Sequence, residues 1–174
     1  MLILLTGDGK GKTTSALGIA LRAAGWNKKV LFMQFIKSNT FRTGEKQAIE
    51  KFLSDNVTLK TLGLGFVGIK NDRKSLKEHR RKAKEALTEA KKLLRKTPYN
   101  LIVLDEVLGA IAGNLLTEKE VLDSIDTIGK DTDIILTGRF APRALLDKAE
   151  LVSEIRKIKH PHDKGILAKK GLDF

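Results

Sequence analysis

Residues 1–25 read MLILLTGDGKGKTTSALGIALRAAG, an apolar run, a glycine-rich bend and a second apolar segment. Leu2 to Leu5 has the length and composition of a buried β-strand. Thr13 to Ala24 has the composition of an amphipathic helix. The stretch therefore predicts a strand that turns sharply into a helix, which is how an α/β domain begins.

The rest of the chain repeats this alternation of apolar runs and helical patterns. The pattern predicts an α/β fold with a mostly parallel sheet and helices on both faces, in a single domain over residues 1–174. The predicted strands are Leu2 to Leu5, Val30 to Phe35, Val57 to Thr61, Leu101 to Leu104, Ile134 to Thr137 and Val152 to Ile158. The predicted helices are Thr13 to Ala24, Thr43 to Leu53, Ser75 to Lys96, Thr117 to Ile128 and Arg143 to Lys148.

The glycine-rich bend has the composition of a phosphate-binding loop. Gly7, Gly9 and Gly11 allow successive N–H groups to point inward, and the following helix adds its positive end. Lys12 can reach the outer phosphates of a nucleotide, and Thr13 can ligate Mg²⁺. The strict P-loop pattern is missed by one place, because Gly7 rather than residue 6 is the first glycine. An ordinary glycine turn is the alternative, but the flanking strand and helix favour a P-loop fold of the RecA-like kind.

A P-loop needs an acidic element to hold its metal, and the sequence LIVLDE offers Asp105 and Glu106 at the end of an apolar strand. Arg139 ends another predicted strand, on the edge where parallel sheets bind ligands. A surface arginine is an equally good interpretation of Arg139. Together the loop and the acids predict that the chain binds a nucleoside triphosphate.

Charge and cysteine content indicate which further partners and sites the sequence favours. The net charge is +12, and the segment 70–96 holds twelve Lys or Arg against four Asp or Glu. A solvated helix face is the favoured interpretation, because no aromatic residue lies in the segment to stack on bases. The chain has no cysteine, which rules out disulfides and thiolate metal sites and favours a reducing cytoplasm. We expect no membrane or targeting segment.

An ordered series of motifs covers nearly the whole chain. TGDGKGKTTSALGIALRAAG is followed by QFIK, by Thr43-Gly44-Glu45, by GLGF, VLDE and LTGR, and finally by KHPHDKGILAKKGLDF. The series resembles the P-loop type of ATP:corrinoid adenosyltransferase. That family also carries the early glycine, although it usually has asparagine at the position of Asp8.

The resemblance implies transfer of the 5'-deoxyadenosyl group of ATP to the Co(I) of a reduced corrinoid, with release of triphosphate. It implies Mg²⁺ on Thr13 and Glu106 with Asp105 nearby, Lys12, Thr13 and Glu106 as catalytic residues, and Phe66 against the corrin. It also implies an electron-donating reductase or flavoprotein and a homodimer. From the residues themselves we expect no membrane partner, and a nucleic-acid partner is not favoured. The residues implied to bind ATP are Gly7, Asp8, Gly9, Lys10, Gly11, Lys12, Thr13, Thr14 and Arg139.

Other interpretations stay open at this point. A kinase or ATPase acting on the γ-phosphate could use the same loop, and a nucleic-acid-binding ATPase could use the basic segment. His160, His162 and Asp163 could form a metal site, although a structural or substrate-positioning role for His160 and Asp163 is the favoured interpretation. His79 is interpreted as a surface residue, and Phe66 taken alone as a core aromatic.

Overall fold

The structure, a computed structural model, describes residues 1–40, 42–65, 67 and 72–174, with the backbone only for residues 94–96. In this part of the chain six strands form one sheet in the order β3-β2-β4-β5-β1-β6, and all five pairings are parallel. The predicted α/β class is confirmed. The strands are β1 (Leu2–Thr6), β2 (Val30–Ser38), β3 (Val57–Gly63), β4 (Leu101–Asp105), β5 (Asp133–Thr137) and β6 (Leu151–Glu154).

The predicted order of elements needs two corrections. The last strand ends at Glu154 instead of Ile158, because the chain leaves the sheet there and crosses the glycine-rich loop. A short helix, α4, was not predicted, since its six residues are too few to show a period. The helices are α1 (Lys12–Gly25), α2 (Gly44–Ala48), α3 (Leu76–Lys96), α4 (Val107–Ala112), α5 (Glu118–Ile125) and α6 (Arg143–Lys148), with a π-helical turn at Ile49–Leu53 and a 3₁₀ turn at Pro161–Lys164.

Helices cover both faces of the sheet, so the strands are apolar on both sides. On β2, Phe32 packs in the core beneath α1, while its neighbour Met33 packs in the core on the opposite face. Helix α1 buries Ala16, Ala20 and Ala24. This spacing of four residues places three small side chains on one stripe, which lets α1 lie close to the sheet and fixes the loop that precedes it.

Both predicted capping boxes are confirmed. The Ser75 hydroxyl accepts from the Glu78 N–H while the Glu78 carboxylate accepts from the Ser75 N–H. Thr117 and Glu120 repeat the arrangement at the start of α5. A hydrogen bond from Lys84 and, as a smaller effect, the bond from the Thr117 N–H lower the pKa of Glu120 to about 2. The boxes satisfy helix N–H groups that would otherwise have no partner.

The buried face of α3 includes a histidine, so the interpretation of His79 as a surface residue is wrong. His79 is only 3% exposed and lies on the same side as Ala83 and Leu87. Its Nε2 lies 3.1 and 3.2 Å from the two carboxylate oxygens of Asp72. The sequence pattern could not predict the burial of His79, because histidine is common on solvated basic helices. The partner that makes its burial possible, Asp72, lies seven residues earlier, before the helix begins.

The exposed face of α3 is partly neutralised by acids. Arg81 and Lys82 both pair with Glu85, and Lys84 pairs with Glu120 of α5. The interpretation as a solvated face accords with these pairs. In the described residues no helix is long and apolar enough to cross a membrane.

We expect His79→Ala to lower the free energy of unfolding by about 1–3 kcal/mol, because the buried Asp72 carboxylate loses a hydrogen-bond partner. Denaturant unfolding measures the change. His162→Ala is the matched control, since His162 is exposed and should cost little. Equal stabilities of the two variants would show that the His79 contact does not stabilise the fold.

Candidate active site

A cavity of 960 Å³ opens at the carboxyl ends of β1, β2, β4 and β5. Parallel sheets bind ligands at this edge, and the volume lies at the upper end of the range for small-molecule sites. Eight of the nine residues predicted to bind ATP line it, and Gly7 does not. The polar and C-terminal part of the lining includes Asp8, Gly9, Lys10, Gly11, Lys12, Thr13, Thr14, Lys37, Gly44, Glu45, Glu106, Arg139, His160, His162, Gly171, Leu172, Asp173 and Phe174.

The two lysines of the loop have different surroundings. Lys12 is only 7% exposed, and its Nζ donates hydrogen bonds to the carbonyl oxygens of Gly7 and Gly9 at 2.8 and 2.7 Å. Burial lowers the pKa of Lys12, and the charge of Glu106 opposes that effect. The Lys10 side chain is 40% exposed and pairs with Asp173 instead. Lys12 is therefore the ammonium group held inside the loop.

The glycine-rich loop lies directly against the segment that follows β6. The sequence predicted that the Gly9 N–H points into the phosphate cradle. Instead, this N–H donates to the Ile155 carbonyl at 2.7 Å. A Cβ on Gly9 would lie 2.7 Å from the Ile155 oxygen and 2.8 Å from the Arg156 backbone. Gly9 is thus required for close approach of two backbones. Asp8 joins the same contact, since its carboxylate accepts from the Lys157 N–H at 3.0 Å.

Asp105 lies behind the cavity and organises its floor. The carboxylate is fully buried, and its Oδ1 accepts hydrogen bonds from the hydroxyls of Thr13 at 2.8 Å and Thr137 at 2.7 Å. Gln34 Nε2 lies 3.5 Å from Oδ2, and Lys37 Nζ lies 3.9 Å from it. Burial raises the pKa of Asp105, while Lys37 and the three hydrogen bonds oppose the rise. The end of β4 is therefore fixed to the start of α1 and the end of β5.

Glu106 is the acid that faces the cavity. It has a left-handed backbone with φ 61°, immediately before α4, and its N–H donates to the Thr137 hydroxyl at 2.9 Å. That conformation costs on the order of 1–3 kcal/mol in a residue other than glycine. Glu106 lines the cavity, whereas Asp105 does not. Burial, and then the charge of Asp105, raise the pKa of Glu106, whereas Lys12, Lys37 and Arg139 lower it.

A polar cluster lies at the end of β2, where no site residue was predicted. Lys37 Nζ lies 2.8 Å from a Glu45 carboxylate oxygen. Burial acts to raise the pKa of Glu45, but the hydrogen bond and the charge of Lys37, together with hydrogen bonds from the Glu45 N–H and the Thr43 hydroxyl, outweigh burial and lower the pKa. The motifs QFIK and Thr43-Gly44-Glu45 contain both residues, so the signal was present. It could not be interpreted without the contact that joins the two motifs.

The residues after β6 fold beside the loop. His160 and His162 line the cavity with ring centroids 6.5 Å apart, and the His160 Nδ1 accepts from the His162 N–H. Asp163 lies outside the cavity lining and pairs with Lys157 at 2.9 Å. No group of three or more His, Cys, Asp or Glu side chains is arranged to hold a metal within the described residues. The contacts of Asp163 favour a structural role.

Comparison with known proteins decides the family. The family model described as "ATP:corrinoid adenosyltransferase BtuR/CobO/CobP" matches residues 1–174. The chain belongs to this family. The corrinoid adenosyltransferase of Escherichia coli K12 is 34% identical over 174 residues, which are 100% of this chain and 85% of that protein. Corrinoid adenosyltransferase CobA of Salmonella typhimurium is 33% identical over the same shares of the two chains.

Among solved structures, the flagellar accessory protein FlaH of Methanocaldococcus jannaschii has a TM-score of 0.58 over 88% of this chain and 70% of that one. Its sequence identity is 13%, so the likeness concerns the fold alone.

Phe66 lies outside the described residues. The resemblance to the adenosyltransferase family implies that this residue contacts the corrin. The strand that leads towards Phe66 is described and ends at Gly63. Contact of Phe66 with a corrin stays a prediction.

We expect Gly9→Ala to lower both stability, by about 1–3 kcal/mol, and ATP affinity, because the added methyl group forces the loop away from Ile155 and Arg156. Thermal unfolding and calorimetry measure the two effects. Gly18→Ala in α1 is the control: nothing lies within 4 Å of its added Cβ, and alanine in a helix should stabilise by about 0.5–1 kcal/mol. Normal ATP affinity in Gly9→Ala would contradict the packing argument.

Proposed function

We propose that this chain transfers the 5'-deoxyadenosyl group of ATP to the Co(I) of a reduced corrinoid. The cobalt–carbon bond forms as the C5'–O bond breaks, and the electron pair leaves with inorganic triphosphate. The observation that carries the proposal is the family match over residues 1–174, in a chain whose phosphate-binding loop lines a large cavity. A kinase or ATPase acting on the γ-phosphate is not favoured by that family.

In this reaction the protein positions substrates and stabilises charge. Co(I) is itself a strong nucleophile, so no side chain has to act as base or nucleophile. The P-loop residues Asp8 to Thr14 and Arg139 surround the triphosphate in our assignment, and Lys12 offsets the charge that develops on it. The cavity holds both substrates in the geometry of attack.

The donor set at the cavity floor fits Mg²⁺. Thr13 and Glu106 both line the cavity and offer oxygen ligands, and the carboxylate of Asp105 accepts the Thr13 hydrogen bond from behind. Burial and the charge of Asp105 raise the pKa of Glu106, and a bound cation would offset both effects. We assign Thr13 and Glu106 as ligands, with Asp105 nearby. When bound, Mg²⁺ neutralises phosphate charge and so makes triphosphate a better leaving group.

The proposal includes partners and a location. Phe66 contacts the corrin, an electron-donating reductase or flavoprotein supplies Co(I), and the chain acts as a homodimer in the cytoplasm. These assignments rest on the family resemblance and, for the compartment, on the absence of cysteine from the sequence.

The direct test is incubation of the protein with ATP, Mg²⁺ and a chemically reduced corrinoid, followed by the absorbance of the cobalt–carbon product. Formation of the adenosylated corrinoid in proportion to enzyme supports the proposal. Consumption of ATP without that product would overturn it.

Lys12→Ala should fold normally and lower turnover by on the order of 100- to 1000-fold, because one contact to a developing charge contributes about 2.7–4 kcal/mol. Lys130→Ala, an exposed lysine outside the cavity lining, is the control for loss of charge alone. Near-normal turnover in a folded Lys12→Ala variant would remove this lysine from the reaction.

Glu106→Gln should raise the Mg²⁺ concentration needed for half-maximal activity more than Asp163→Asn does. A metal ligand is lost in the first variant, and in the second only a pairing with Lys157. A metal titration of activity compares the two midpoints. Equal midpoints would contradict the assignment of Glu106.

A further inference from the structure

Residues 169–174, the tail, form a compact turn over the cavity. Within it the Gly171 N–H donates to the Phe174 oxygen at 2.8 Å, and the Asp173 N–H donates to the Lys169 oxygen at 2.8 Å. Gly171 has φ 82°, which allows the reversal. Four residues of the tail, Gly171 to Phe174, line the cavity. The tail is therefore a wall of the site as well as the end of the described chain.

Asp173 fastens this wall to the phosphate-binding loop. Its Oδ2 accepts from the Lys169 N–H at 2.7 Å, which closes the turn. Its Oδ1 lies 2.7 Å from the Lys10 Nζ. The Lys10 hydrogen bond is the main cause of a lowered pKa for Asp173. One carboxylate thus holds the turn together and attaches it to the loop.

The far side of the tail rests on α2. A Cβ on Gly44, the first residue of α2, would lie 3.8 Å from backbone atoms of Phe174. The tail therefore connects two walls of the cavity, the loop through Lys10 and α2 through Gly44. Glu45, the next residue, holds Lys37. Displacement of the tail would open the cavity between these two elements.

We propose that Lys10 is a positioning residue: its ammonium group holds the tail through Asp173 and does not bind phosphate, so that Lys10 takes part in the phosphate-binding loop through its backbone alone. Lys12 is the lysine buried inside the loop, whereas the Lys10 ammonium group already has a carboxylate partner at the tail. The inference deepens the proposed function, on which it rests, because it assumes that ATP occupies the cavity. Under this inference Lys12 contacts the substrate, whereas Lys10 holds the tail that covers the cavity.

The test is a double-mutant cycle of Lys10→Met and Asp173→Asn, with ATP affinity measured by calorimetry and thermal unfolding as a check on folding. Each single variant should weaken ATP binding by about two- to fivefold, as expected for a partly exposed pair, at an unchanged melting temperature. The double variant should be no worse than the weaker-binding single one, because each change removes the same contact. Removal of residues 171–174 should weaken binding further.

Two results would overturn the inference. If Lys10→Met weakens binding as much in the Asp173→Asn background as in the wild type, Lys10 contacts the nucleotide independently. If Asp173→Asn tightens binding, the carboxylate competes with phosphate for Lys10. The control pair is Arg143→Met and Asp147→Asn, an exposed ion pair on α6 away from the cavity, which should leave affinity unchanged. Absence of ATP binding by the wild type would instead contradict the proposed function.

Discussion

The site depends on one carboxylate that has no contact with solvent. Asp105 accepts hydrogen bonds from Thr13 and Thr137 through one oxygen and faces Gln34 and Lys37 with the other. A buried charge is costly unless it is paired and hydrogen-bonded, and here the two hydroxyl hydrogen bonds and the charge of Lys37 offset part of the cost of burial. The same contacts fix the start of α1 and the end of β5 to β4. The phosphate-binding loop and the acid Glu106 thereby acquire a defined relative position.

Much of this arrangement could be predicted from sequence. In the part of the chain that the structure describes, six strands and five of six helices follow from apolar runs and helical spacing, and parallel strands bring their carboxyl ends to one edge. That rule alone places Gly11 to Thr13, Glu106 and Arg139 around one cavity. The capping boxes at Ser75 and Thr117 were predictable because both partners lie within four residues.

Several features could not be predicted because they depend on partners outside the local sequence pattern. The burial of His79 follows from its pairing with Asp72, and the requirement for Gly9 follows from the Ile155 backbone, which lies far along the chain. Neither partner leaves a mark in the local pattern. Helix α4 escaped prediction because it is short and follows the left-handed turn at Glu106 directly. The position of the tail over the cavity could not be predicted either, because it depends on contacts with Lys10 and Gly44, which lie far from the tail in the sequence.

Because the same P-loop fold supports different reactions, the chemistry rests on the family and on the site, and the fold alone does not select it. The phosphorus product separates adenosyl transfer from γ-phosphate chemistry most directly. Phosphorus NMR of a reaction containing the protein, ATP, Mg²⁺ and reduced corrinoid should show inorganic triphosphate, one molecule for each adenosyl group transferred. Accumulation of ADP and phosphate in place of triphosphate would contradict the account.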